Sequence, residues 1–217
     1  MQEVRTCDTR DGLNAINEAG AELVIWQRSL PTGFRKWIDR TDVSMLPDLR
    51  ILVQPDTLRP ALEPLLDECG LPTNKMRDLL IDDIQDLVRA FADVTRSEFV
   101  DVRLERINHN ACRKFHRDNV EARLVTTYRG PTTQWVETAY AETALHEQKL
   151  FGGPLEHLAR DDVTIFKGSC AHQNNGAVHR SPPIVGTGCT RLFPCLNKKN
   201  DRIPAPLCRR LSRKGLR

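Results

Sequence analysis

The 217-residue chain lacks several short motifs that mark common kinds of site. Its seven cysteines include no Cys-x-x-Cys pair, which argues against a zinc ribbon or a disulfide framework and favours reduced thiols. It has neither a Gly-x-Ser-x-Gly elbow for a nucleophilic serine nor a Gly-x-x-x-x-Gly-Lys loop for phosphates. The sequence therefore gives no sign of a serine-elbow hydrolase or a P-loop nucleotidase.

Long apolar runs are also missing. No stretch reaches the roughly 18 apolar residues of a membrane span. The first residues carry acidic groups where a signal peptide would have bases followed by an apolar run. We expect a cytoplasmic protein that does not associate with membranes.

The net charge of +3 is too small to indicate a nucleic-acid partner. Bases are nevertheless crowded near the end of the chain, and no aromatic residue is interleaved with them for stacking on bases. They are Lys198, Lys199, Arg202, Arg209, Arg210, Arg213, Lys214 and Arg217. We predict a solvated basic tail over 198–217; an enzyme whose tail recruits nucleic acid is the remoter alternative.

The remaining sequence predicts an α+β fold in one compact unit. Residues 21–27 are rich in strand formers, and 55–93 has the pattern of two helices separated near Gly70 and Pro72. From residue 98 onward, short extended segments alternate with turns, which is typical of an antiparallel sandwich or barrel. The predicted strands are 98–107, 119–128, 133–140, 162–167, 176–181 and 188–196. We divide the chain into an N-terminal strand with supporting helices (1–97), a β-barrel core (98–197) and the basic tail.

One short segment carries two potential metal ligands. His116 and Asp118 are two residues apart, so on an extended chain their side chains leave the same face. His179 offers a third ligand farther along. Two histidines and one carboxylate on one face leave coordination positions open, as in non-haem iron(II) oxygenases. We predict a divalent metal site, with iron as the expected ion.

Nearby positions supply groups for an anionic cosubstrate. Arg191 lies twelve residues after His179 on a strand-like run, where its guanidinium can grip a carboxylate through two hydrogen bonds. If the strand after Asp118 keeps its parity, Thr126 and Tyr128 face the ligands and add hydroxyl donors, together with Val120, Ala122 and Leu124. Glu121, Arg123 and Thr127 are then expected on the other face.

The order of these elements resembles the Fe(II)/2-oxoglutarate-dependent oxygenases, especially their prolyl-hydroxylase-like branch. In that branch, His-x-Asp is followed by an Arg, a Thr and a Tyr, and a Gly-Asp-apolar-Phe strand precedes the distal His. Here Asp161 stands where the branch has glycine. The resemblance implies a double-stranded β-helix, a jelly-roll or cupin-like barrel with the N-terminal helices packed on it. It also implies Fe(II) on His116, Asp118 and His179, with 2-oxoglutarate held by Arg191 and Tyr128.

A closer resemblance is to a bacterial family that carries only a domain-of-unknown-function label. Its features are Phe-His-x-Asp, Arg-Leu-x-x-Thr-Tyr-x-Gly-Pro, Ile-Phe-Lys-Gly and Val-His-Arg-Ser-Pro-Pro. They stand here at 115–118, 123–131, 165–168 and 178–183. This likeness implies the fold and the site rather than a reaction.

Other interpretations stay open at this point. The same three ligands would suit zinc, so a non-catalytic cupin-like protein for metal storage, sensing or trafficking is the main alternative. Cys170 and His172, with Cys189 and Cys195, would also suit zinc, although their spacing matches no standard pattern. His116 and Asp118 can instead form a surface ion pair, and His179 can be a core histidine. The substrate, a small molecule or a peptide, and the oligomeric state have no signal in the sequence.

Overall fold

The computed structural model describes residues 3–171 and 176–199, and its strands fall into two sheets. In chain order the strands are β1 (Glu3–Cys7), β2 (Ala21–Trp26), β3 (Leu49–Val53), β4 (Val100–Ile107), β5 (Ala122–Val125), β6 (Gln134–Trp135), β7 (Glu156–His157), β8 (Val163–Lys167), β9 (His179–Arg180) and β10 (Arg191–Lys198). The larger sheet has the order β1-β2-β8-β5-β10-β4-β3, and the smaller one β7-β6-β9. Neighbouring strands are antiparallel except β1 and β2, which are parallel.

The helices are α1 (Thr32–Arg40), α2 (Leu58–Glu68), α3 (Lys75–Thr95) and α4 (Ala141–Glu147). Helix α3 begins after Asn74, whose side chain accepts hydrogen bonds from the backbone N–H groups of Met76 and Arg77. Its apolar residues Leu80, Ile84, Leu87, Val88 and Phe91, which recur at one-face helical spacing, are buried, and this confirms the helix predicted in that region. Asp83, a charged residue of the same helix, is buried as well.

Two groups of buried apolar residues flank the larger sheet. The helix-side core joins one face of this sheet to α1, α2 and α3, and includes Phe34, Leu62, Ile84, Phe91, Val102, Leu124 and Leu196. The inter-sheet cluster lies between the two sheets and consists of Leu23, Ile25, Val125, Trp135, Leu158, Phe166, Ala177 and Cys195. The larger sheet therefore separates a helix-packed face from a face that looks onto the smaller sheet.

The α+β class agrees with the sequence, but several predicted elements need correction. The strand predicted over 133–140 ends at Trp135. The stretch 141–160, for which no helix or strand was predicted, contains α4, where Ala, Glu and Leu favour a helix. The strand predicted over 119–128 has its regular ladder only at β5, because residues 119–121 bend. Strands β1 and β3 and helix α1 were not predicted, since each is short and carries charged residues.

The predicted segments also meet in one sheet. Strands β1, β2 and β3, from the first 97 residues, pair within the same larger sheet as β4, β5, β8 and β10. Lys198, assigned to the tail, ends β10 and forms an ion pair with Glu121. The tail from residue 200 onward lies outside the described residues. Across the described ranges, no helix is long and apolar enough to cross a membrane.

Candidate metal centre

The two histidines of the centre face each other across a backbone bridge. His116 and His179 exchange N–H···O hydrogen bonds of 3.0 and 3.1 Å, so the segment around His116 lies beside β9 at the edge of the smaller sheet. Directly opposed residues of an antiparallel pair project to the same face. The ring centroids are accordingly 4.6 Å apart. A local backbone pairing thus brings together two ligands that are far apart in sequence.

Asp118 is placed by a close backbone approach between two segments. Its carbonyl oxygen accepts a 2.8 Å hydrogen bond from the backbone N–H of Ser169. A Cβ on Gly168 would lie 2.1 Å from the carbonyl oxygen of Val120 and 2.6 Å from that of Asp118. Only glycine fits there without displacing the segment that carries Asp118, which gives a physical reason for the Ile-Phe-Lys-Gly motif.

The three side chains converge on one point. One ligand atom from each of His116, Asp118 and His179 lies within 4.8 Å of the others. Nε2 of His116 is 3.6 Å from Asp118 Oδ1, and Nε2 of His179 is 3.4 Å from Asp118 Oδ2. The structure therefore brings the predicted ligands together.

The second nitrogen of each ring fixes its orientation. Nδ1 of His116 lies 2.8 Å from the carbonyl oxygen of Lys114, and Nδ1 of His179 lies 3.0 Å from that of Ala177. A ring whose Nδ1–H donates to a carbonyl presents Nε2 as a metal ligand. Phe166 stacks on His179 at 4.4 Å between centroids and limits its rotation.

The carboxylate of Asp118 is prepared for a cation. Burial raises its pKa, but the close imidazole rings of His116 and His179 and the positive charge of Arg123 outweigh burial and hold the pKa well below its usual range. Oδ1 accepts a hydrogen bond from Arg123, whereas Oδ2 is buried and accepts none from the described residues. An orphaned carboxylate oxygen beside two imidazole nitrogens fits a divalent metal ion.

Arg191 is a fully buried arginine between the sheets. Its guanidinium donates to the hydroxyls of Ser181 (2.8 Å) and Thr133 (3.3 Å) and lies 4.7 Å from the ring centroid of Phe193. Within residues 3–171 and 176–199 its side-chain hydrogen-bond partners are these two hydroxyls and no carboxylate, and its Nε has no hydrogen-bond partner. Burial lowers the pKa of Arg191 to about 10, with Glu105 offsetting only part of the effect. Such a buried charge is costly unless an anion joins it.

The prediction for Tyr128 needs correction. Its ring belongs to the helix-side core, and its hydroxyl donates to Asp83 of α3. Leu124 packs in the same core, whereas Val125 belongs to the inter-sheet cluster. Tyr128 is therefore on the face of the sheet away from the metal ligands.

The prediction for Thr126 also needs correction, because Thr126 lies on the same face of the sheet as Tyr128. Backbone hydrogen bonds continue the β5–β10 ladder through Thr126 and Tyr128, so alternation puts Thr126 on the face of Leu124. Its hydroxyl is buried without a hydrogen-bond partner among the described residues. The predicted parity fails because the bend at 119–121 separates Asp118 from β5 and resets which face each residue takes.

Three polar residues that the sequence analysis did not single out face the space between the two sheets, and strand alternation gave a weak indication of each. Ser181 lies two residues after His179, and Thr133 lies two before Trp135, so each shares a face with a residue that looks inward. Thr164 alternates with Val163 and Ile165 of the helix-side core, so it also faces the smaller sheet, and its hydroxyl is buried with no partner in the described chain. Alternation about known inward residues would have identified all three.

Asp161, which replaces the glycine of the oxygenase pattern, has a left-handed φ of +72°. Glycine adopts this conformation without strain, and aspartate does so more readily than most residues. The Asp161 carboxylate is retained by hydrogen bonds from Arg35 and from the backbone N–H of Leu30. Aspartate at this position therefore adopts the left-handed conformation and adds an ion pair with Arg35.

The alternative zinc ligands do not assemble among the described residues. Cys170 and Cys189 are exposed, Cys195 is buried, and within the described ranges these thiols join no group of three or more potential ligands. The Sγ of Cys170 instead contacts Asn119. His172 lies outside the described residues. In this part of the chain, the metal group has no fourth protein ligand.

The sequence matches one family model over most of its length. The family described as "Protein of unknown function (DUF1826)" matches residues 7–197. Among curated proteins, none matches the chain in sequence.

The chain is distantly similar to two solved structures. Iron-bound HygX from Streptomyces hygroscopicus is 13% identical, with 88% of this chain and 87% of that chain covered and a TM-score of 0.43. A full-length Neurospora crassa protein in complex with alpha-KG is 10% identical, with 90% of this chain and 78% of that chain covered and a TM-score of 0.40. At these scores the likeness carries no argument about activity.

Proposed function

The chain belongs to this family of proteins of unknown function, and we propose that it is an Fe(II)/2-oxoglutarate-dependent oxygenase. The observation that carries the proposal is the buried guanidinium of Arg191, which lies between the sheets without a carboxylate partner in the described chain. Together with the His116, Asp118 and His179 group, it provides what a metal-chelating dicarboxylate requires: an open metal site and a cation for the far carboxylate.

The strand order supports the proposed double-stranded β-helix. From β4 onward, eight segments alternate between the two sheets. The larger sheet contains the first, third, sixth and eighth of them, which are β4, β5, β8 and β10. The smaller sheet contains the second, fourth, fifth and seventh, which are the segment around His116, β6, β7 and β9. This is the alternation of an eight-stranded jelly roll. The space between the two sheets, which would be the interior of the proposed barrel, holds the inter-sheet cluster, the metal group and Arg191.

Each residue has a distinct task in this proposal. Nε2 of His116, Nε2 of His179 and Oδ2 of Asp118 would hold Fe(II), while the carbonyls of Lys114 and Ala177 keep both rings oriented. Bound Fe(II) with 2-oxoglutarate supplies the activation of O₂ that oxidises a C–H bond.

The remaining groups bind and shield the cosubstrate. Arg191, with Ser181 and Thr133 beside it, orients the far carboxylate of 2-oxoglutarate. Trp135 and Phe166 provide an apolar wall that limits access of water. The substrate of the proposed reaction is a small molecule or a peptide.

Anaerobic titration tests the proposal. The Fe(II)-loaded protein is titrated with 2-oxoglutarate while the weak visible charge-transfer band of the chelate is recorded. We expect a saturable band that is lost in Asp118→Ala and Arg191→Met. Tyr128→Phe, a change on the helix side of the sheet, should keep it. Tight zinc retention with no band in the Fe(II) form would contradict the proposal and favour a metal-storage or sensing protein.

A further inference from the structure

Arg123 connects a proposed metal ligand to the neighbouring strand. Its Nη1 donates to Oδ1 of Asp118, and its Nε donates to Oδ1 of Asn197 at 2.8 Å. Arg123 and Asn197 are directly opposed in the β5–β10 ladder, and Asn197 is only 1% exposed. The guanidinium is therefore held on a rigid element at one end and touches the carboxylate at the other.

This contact makes the two oxygens of Asp118 inequivalent. Oδ1 is engaged by Arg123, whereas Oδ2 is buried, has no hydrogen-bond partner in the described chain and lies 3.4 Å from Nε2 of His179. A carboxylate can bind a metal through one oxygen or through both. Binding through both would occupy a coordination position that a chelating cosubstrate or O₂ needs in a site with two histidines and one carboxylate.

We propose that Arg123, anchored by Asn197, is a positioning residue that restricts Asp118 to a single metal contact through Oδ2. The inference rests on the metal site of the proposed function. The role requires two donors on one planar guanidinium: Nε for Asn197 and Nη1 for Asp118. A lysine ammonium cannot reproduce this forked geometry. The positive charge of Arg123 by itself opposes a nearby cation, so its value to the site lies in geometry rather than attraction.

Co(II) is the probe, since its visible spectrum reports coordination number and symmetry. In Arg123→Met we expect a changed Co(II) spectrum as Asp118 engages both oxygens, and affinity for 2-oxoglutarate that is about 10-fold weaker. Arg123→Lys should restore the spectrum only in part. Asn197→Ala should change it in the same direction by less, and it provides a second test if Arg123→Met does not fold.

Arg50→Met is the matched control. Arg50 pairs with Asp101 across β3 and β4 of the same sheet, at 2.6 Å, and contacts none of the proposed ligands. It should keep the wild-type spectrum and 2-oxoglutarate affinity. Wild-type behaviour in folded Arg123→Met and Asn197→Ala would overturn the role of Arg123 while leaving the proposed function in place. Co(II) binding that survives in His179→Ala, or is missing in the wild type, would overturn the metal site and this inference together.

Discussion

Two clusters of buried charge lie on opposite faces of the larger sheet, and they differ in whether the chain completes its own pairing. On the helix side, Arg28 makes a forked ion pair with Asp83, which also accepts the hydroxyl of Tyr128. Between the sheets, Arg191 has only hydroxyl partners among the described residues, and Asp118 keeps one orphaned oxygen there.

The pKa values of the partly exposed Arg28 and the fully buried Arg191 express the same difference. Burial lowers the pKa of Arg28, but the hydrogen bonds and charge of Asp83 outweigh it and the pKa is raised. For Arg191 burial dominates and the pKa falls to about 10. A buried charge that is paired within the chain stabilises the fold, whereas one left open is suited to a ligand.

The largest expected loss of stability follows from removing one partner of the helix-side ion pair between Arg28 and Asp83. Asp83→Ala removes the carboxylate partner of the largely buried Arg28 and the acceptor of the Tyr128 hydroxyl, so the free energy of unfolding should fall by about 3 kcal/mol. Asp82→Ala is the matched control on α3, because its pair with Arg59 is exposed and should contribute less than about 1 kcal/mol. Urea unfolding measures both variants. A similar loss of unfolding free energy in the two variants would show that the Arg28–Asp83 pair stabilises the fold no more than an exposed ion pair does.

A smaller effect of opposite sign is expected between the sheets. Arg191→Met removes an unpaired buried charge, so the ligand-free protein should gain about 1 kcal/mol of stability. Addition of metal and 2-oxoglutarate should raise the melting temperature of the wild type and not that of the variant beyond the effect of metal alone. Calorimetry compares the two proteins. A loss of stability as large as that of Asp83→Ala would instead make Arg191 a structural residue.

The smallest effects should come from two buried hydroxyls. Thr126 and Thr164 both lack a hydrogen-bond partner in the described ranges, yet alternation puts Thr126 on the helix side and Thr164 between the sheets. Replacing either with Val should raise stability by less than about 1 kcal/mol, since an unsatisfied polar group is removed. Only Thr164→Val should weaken 2-oxoglutarate binding, measured by titration of the Fe(II) form. Equal affinities in the two variants would place the cosubstrate away from Thr164.

The face of each residue explains which parts of the site could be predicted. His116 and Asp118 are two positions apart in the sequence, so strand alternation alone predicts that their side chains share a face. Arg191 stood on a recognisable strand, and the α3 helix had a clear apolar periodicity. Each of these predictions depended on a single element.

Tyr128 and Thr126 show where such reasoning stops. Their predicted roles required parity to continue from Asp118 into β5, and the bend at 119–121 breaks it. Arg123, assigned to the other face, is in fact the residue that contacts Asp118. The same side-chain types occur on both faces, so composition could not correct the register.

The sequence by itself determined helices α2 and α3, most of the short strands after residue 98 and the identity of the three candidate ligands, because these depend on local periodicity and residue chemistry. The tertiary structure alone decided which oxygen of Asp118 stays free, that Tyr128 serves the helix side, and that Arg191 remains without a carboxylate among the described residues. Those outcomes depend on contacts between segments distant in the chain. Pairing between strands fixes them, and no local pattern encodes that pairing.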